Sequence, residues 1–184
     1  MDLFAKIRQK KGLKKLLKKA SETKRKVSYS RFNDVKSIGF VWDTINPSEL
    51  SHITSFHSKM EARGIDVNVI GYYKDEKLPG DYTAYSYFTC LKRSDLNFFF
   101  IPICSEAESF LKKEYDVLID ANFADIFPLR YITTLAKAGL KVGLYDEKKT
   151  DLYDVMIEQQ KTSLSDYIEQ VTYYLEMINN EKQQ

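Results

Sequence analysis

The chain has 184 residues, 43% of them apolar and 29% charged, with 7 Gly, 4 Pro and 2 Cys. These figures suit one ordinary domain with a buried core and exclude collagen-like, low-complexity and disulfide-scaffold classes; the longest apolar run, Phe98 to Cys104, contains Pro102 and is far short of a bilayer span. The net charge of +2 conceals a split, because residues 1–26 carry 11 Lys/Arg against 2 Asp/Glu while residues 27–184 carry 17 against 24.

A cationic arm, residues 1–26, is therefore expected to precede a single acidic α/β domain, residues 27–184. The arm is rich in helix formers. No apolar stretch of signal-peptide type follows its basic residues, and Lys far outnumbers Arg, so neither a secretory signal nor a mitochondrial presequence is expected. Leu3, Phe4 and Ile7 form one apolar stripe, and Leu13, Leu16, Leu17 and Ala20 form another. On one continuous helix the two stripes lie on nearly opposite sides. A break at Gly12 would turn both toward one surface.

The body reads as strands alternating with helices. Lys36 to Asp43 is a short apolar run of buried-strand type. Asn46-Pro47-Ser48-Glu49 fits a helix start, with Asn46 as N-cap, Pro47 at the first position and Glu49 closing a capping box. Leu50, Ile53, His57 and Met60 form one helical face, and Gly64 fits the stop. Ile65 to Tyr73 reads as the next strand, giving a crossover unit of parallel type.

Residues 74–84 read as loop. Tyr85–Leu91 and Leu96–Ile103 read as two strands joined by a turn at Lys92–Asp95. Ser105 to Glu108 has capping-box spacing and predicts a short helix to Lys113. A strand is expected at Tyr115–Ala121, a helix at Pro128–Ala138 stopped by Gly139, and a strand at Leu140–Tyr145. Asp151–Gln159 fits either a strand or a short helix. Leu164, Ile168, Val171, Leu175 and Ile178 form one helical stripe, with Glu169, Glu176 and Glu181 outside. Together these elements predict an α/β, Rossmann-like three-layer fold with a mostly parallel sheet.

Chemistry-bearing motifs are sparse. G-x-G-x-x-G, G-x-x-x-x-G-K-[ST] and G-x-S-x-G do not occur. His52 and His57, five apart, fall on different helix faces and make no metal pair; His57 is expected to be a half-buried core residue. Cys90 and Cys104 fall at strand-like positions and read as buried thiols. Asp43, Asp120 and Asp146 each close a predicted strand at its carboxyl end. That is the rim where open α/β sheets bind ligands, so the three carboxylates are the candidate ligand rim. The competing reading is that each acid caps loop amides. Nine aromatic residues between Tyr72 and Phe100 read as a strand pair with one face in the core.

Three segments carry a resemblance: Tyr115-Asp-Val-Leu-Ile-Asp-Ala-Asn122, Phe127-Pro-Leu-Arg-Tyr-Ile132 and Ala136-Lys-Ala-Gly-Leu-Lys-Val-Gly143. With Lys92-Arg-Ser-Asp-Leu-Asn97 and the basic arm, the chain resembles an uncharacterised family of small proteins from Bacteroidetes-type bacteria, which implies no activity. The first and third segments are also similar to the amino-terminal half of heptosyltransferase-like glycosyltransferases. That likeness implies a Rossmann-like topology and transfers no catalytic residue, since those enzymes need a second Rossmann domain.

The expectation is a non-enzymatic, cytoplasmic α/β domain without catalytic residues, metal or cofactor. Its arm would make a contact through Lys10, Lys11, Lys14, Lys15, Lys18 and Lys19. The arm docks on the acidic body of its own or a neighbouring subunit, or its partner is a dimer mate, another protein or the anionic inner face of a membrane. Nucleic acid is disfavoured because the acidic body repels it. The alternative is a nucleotide- or sugar-binding protein or enzyme using the Asp43, Asp120 and Asp146 rim.

Overall fold

The computed structural model describes residues 3–23, 25–28, 31–159 and 163–178; Glu181, expected on the outer face of the last helix, lies outside them. Eleven elements follow in the order α1 (Leu3–Glu22), β1 (Ser37–Trp42), α2 (Leu50–Glu61), β2 (Asp66–Tyr72), β3 (Phe88–Leu91), α3 (Ser105–Lys112), β4 (Glu114–Ala121), α4 (Phe127–Leu135), β5 (Lys137–Leu144), β6 (Val155–Ile157) and α5 (Leu164–Met177). The strands form one sheet in the order β3-β2-β1-β4-β5-β6, and every pairing is parallel. This is the classic doubly wound order, with its reversal point between β1 and β4.

Central strands of such a sheet are covered on both faces and so read as continuous apolar runs. Residues 38–42 of β1 are all buried. One face holds Phe40, Trp42, Val117 and Ile119 against Ile53 and Met60 of α2 and Val171 and Leu175 of α5. The other holds Val41, Ile70 and Leu118 against Ala107 and Phe110 of α3 and Leu129 and Ile132 of α4. On the expected α5 stripe, Leu164, Val171 and Leu175 are buried, Ile168 is half-buried and Ile178 is exposed.

α1 adds a layer outside α4. Leu16 joins Phe127, Tyr131, Leu135 and Ile101 in a third apolar cluster, with Leu13 and Ala20 against it. α4 is apolar on two sides because it is covered twice. Gly12 does not break the helix: it is buried within α1, and a Cβ there would stand 2.4 Å from the Phe99 carbonyl oxygen. The glycine serves close approach. The two apolar stripes of the arm therefore do face opposite ways.

Several local expectations give way to longer-range forces. Leu96–Ile103 is no strand. The Asn97 carboxamide oxygen accepts from the Phe99 and Ile101 amides, Phe100 adopts φ 62°, and Pro102 has no amide to donate. β3 accordingly pairs with β2 in parallel rather than forming a hairpin. α4 ends at Leu135, before Gly139, because Lys137 and Ala138 pair with Glu114 and Tyr115 of β4. Asp151–Gln159 contains the strand β6.

At the start of α2, Asn46 caps as expected by accepting from the Ser48 amide, and Pro47 occupies the first position of a short 3-10 turn leading into the helix. The capping boxes expected with Glu49 and with Ser105 do not form. Glu49 makes no side-chain cap, and the Ser105 hydroxyl bonds Glu106 from inside α3. Gly64, at φ 74°, ends α2 with the Ile65 amide on the Met60 carbonyl.

Candidate functional site

The carboxyl ends of β1, β4 and β5 carry Asp43, Asp120 and Asp146, and the three strands are neighbours in the sheet. Asp43 directly follows β1 and is buried. One of its oxygens accepts from the Ile45 amide at 3.3 Å, the other from the Ala124 amide at 3.1 Å. It thus ties the loop after β1 to the loop after β4, across the reversal point. Burial raises its pKa, against the pull of the Ala124 and Ile45 amides.

Asp120, the next-to-last residue of β4, is also buried. It accepts from the Asn122 amide at 2.8 Å and from the Tyr153 hydroxyl at 2.7 Å. Its backbone carbonyl accepts from the Tyr167 hydroxyl of α5 at 3.0 Å. Burial raises its pKa too, against those same donors. Asp146 is different. It is half-exposed and accepts from the Lys148 amide at 3.0 Å, which is what lowers its pKa. Lys149 bridges Asp146 to Asp125, at 3.6 and 3.1 Å, and Arg130 pairs with Asp125 as well.

The strands thus converge, but the acids are employed within the protein. No group of three or more His, Cys, Asp or Glu among the described residues has metal-holding geometry. His57 is stacked on Tyr87, with ring centroids 3.6 Å apart, as a half-buried residue. Cys90 and Cys104 are half-buried free thiols; burial pushes Cys90 up to about 12, which keeps it protonated and unreactive.

A cleft of about 640 Å³ lies at the opposite edge, around the amino ends of β4 and β5. Two of the cations that line it are held in ion pairs. Arg25 makes a two-pronged pair with Asp154 at 2.7 and 2.6 Å. Lys137 faces Glu114 at 3.4 Å. Lys141 is almost fully buried and donates to the Thr133 and Thr134 carbonyls at 2.6 and 3.1 Å, capping the end of α4. Burial, with help from Arg25, lowers Lys141 to about 8. Sequence reasoning missed this residue, although a lysine between Leu140 and Val142 in a predicted buried strand was the signal.

The outward face of α1 has the opposite character. Lys10, Lys11, Lys14, Lys15, Lys18 and Lys19 are all exposed. Lys15 rests over the Phe99 ring and Lys19 over the Tyr131 ring, at 4.2 and 5.8 Å, so these two brace the docked edge. Lys10, Lys11, Lys14 and Lys18 have no ion-pair partner among the described residues. Beside them Leu3, Phe4, Ile7 and Leu17 are 69%, 73%, 48% and 59% exposed.

A doubly wound parallel sheet with a cationic helix on its outside defines the class: an α/β domain of Rossmann-type strand order. The chain belongs to a family of unknown function, DUF6913, which matches residues 7–178. No match to it appears among curated proteins.

Proposed function

We propose that this protein is a non-catalytic α/β scaffold that presents the outward face of α1 to an acidic partner. The observation that carries this reading is the division of labour on α1. Gly12 and Leu16 are buried against the body, while the unpaired lysines and the exposed apolar residues project from the other side. A docked helix needs no partner to fold, so its free face is ready for contact. The internal use of Asp43 and Asp120 supports the non-catalytic half of the reading.

Retention of the full chain on a heparin column tests the accessible cationic face. Retention at low salt is expected, with elution moved to lower salt by Lys10→Gln/Lys11→Gln/Lys14→Gln/Lys18→Gln. Unchanged elution of that variant, with an unchanged circular-dichroism spectrum, would remove the basis of the reading.

A further inference from the structure

We infer that the acidic partner is the surface of an anionic lipid bilayer, with α1 lying in its plane. The inference rests on the contact reading above and adds the chemistry of the partner. Leu3, Phe4 and Ile7 sit within two turns of one another on the helix face turned from the body, 69%, 73% and 48% exposed. Lys10, Lys11, Lys14 and Lys18 continue the same face, and the only acid among the helix residues is Glu22, at its end. Apolar side chains seated among headgroups, with lysines reaching the phosphates, are the recognition pattern of an interfacial helix. Each lysine near such a surface raises partitioning about fivefold. The apolar trio alone gives only weak adsorption, so both halves of the face are needed.

Two features separate a bilayer from other polyanions. Phosphate contacts in nucleic acid have no use for an exposed Leu-Phe-Ile cluster. Phe98, 62% exposed, extends that apolar area beside the helix: Arg8 donates to its carbonyl at 2.6 Å and lies 4.2 Å over its ring. The body's charge also fits. α5, on the far side of the sheet, bears Asp166, Glu169 and Glu176 and no Lys or Arg. The field of an anionic membrane would therefore turn α1 toward the lipid and α5 away from it.

Co-sedimentation of the full chain with phosphatidylcholine–phosphatidylglycerol vesicles, compared with pure phosphatidylcholine vesicles, tests the inference. Binding to the mixed vesicles alone is expected, reversed by salt. Leu3→Ser/Phe4→Ser/Ile7→Ser, which spares the docked face, should weaken vesicle binding at least about tenfold while heparin retention persists. A Phe4→Trp variant should shift its emission to the blue on the mixed vesicles, since the native Trp42 is fully buried and silent to the change. Helix content should not rise on binding, because α1 is already folded against α4.

Absence of vesicle binding with heparin retention intact would overturn the lipid inference and leave the contact reading standing. So would vesicle binding untouched by the triple Ser variant. Concentration-dependent self-association abolished by the four Lys→Gln changes would make a second copy the partner. An RNA gel shift unaffected by the Ser changes would make nucleic acid the partner. Loss of heparin retention as well as vesicle binding would bring down both readings.

Discussion

At position 12 a Cβ would lie 2.4 Å from the Phe99 carbonyl oxygen and 3.0 Å from two ring atoms of Phe127. Alanine in a helix interior normally gains about 1 kcal/mol over glycine. Here that gain meets a backbone oxygen held in a tight loop by Asn97. Overpacking of this kind costs about 1–3 kcal/mol. Gly12→Ala is expected to destabilise the docked helix, seen as faster amide exchange in α1; slower exchange would show that the contact can relax. Lys141 supports a second prediction. Its native value of about 8 lies below the ordinary 10.5. Between those values the unfolded chain binds more protons than the native one, so stability rises with pH through that window. Urea unfolding from pH 8 to 10.5 should show the rise in the wild type, and Lys141→Met should flatten it. Equal slopes would mean that Lys141 titrates normally.

At the scale of elements, α1 docks through a small cluster of its own, in which Leu16 is the most buried contribution from the helix. Leu16→Ala is expected to cost about 2–5 kcal/mol of docking and to expose α1 to protease, leaving β1–β6 protected. Simultaneous loss of protection in β1 and β4 would show that arm and sheet unfold as one unit. Which elements could be read in advance follows from how locally each is determined. β1, β2 and β4 are apolar runs whose strand character is carried by their own residues. The α4–β5 boundary is different: Ala136-Lys137-Ala138 favours a helix by composition, and pairing with Glu114 and Tyr115 overrides it. Residues 96–103 mislead in the other sense, since their aromatics favour a strand while Asn97 and Pro102 forbid a ladder. The docking of α1 did leave a trace. α4 carries Phe127, Leu129, Tyr131, Ile132 and Leu135 around most of its circumference, and a helix apolar all round is a covered helix.

Over the whole molecule, the strand order places a crevice between β1 and β4, where folds of this type bind nucleotides. The positions of Asp43 and Asp120 at that crevice were legible from the ends of two predicted strands. That each acid accepts from loop amides was readable too, but the long-range donors were not, because Ala124 and Tyr153 reach Asp43 and Asp120 from distant parts of the chain. A ligand at about 100 times its dissociation constant would stabilise the fold by about 2.7 kcal/mol, several degrees in midpoint. Nucleotides, nucleotide-sugars and divalent metals should each leave the melting temperature of the full chain unchanged. A shift abolished by Asp43→Asn/Asp120→Asn would restore the ligand-binding alternative.

Asp43 gives that crevice a further character. Backbone amides at the mouth of such a sheet are the usual seat of a bound anion, and here the amides of Ile45 and Ala124 already hold one. It is the side-chain carboxylate of Asp43 itself. Any phosphate or carboxylate arriving from solution competes with an anion that cannot diffuse away, at an effective concentration far above that of a free small molecule. Asp43 thus fills from within the position that such a crevice offers to an anion, and joins the two loops that border it.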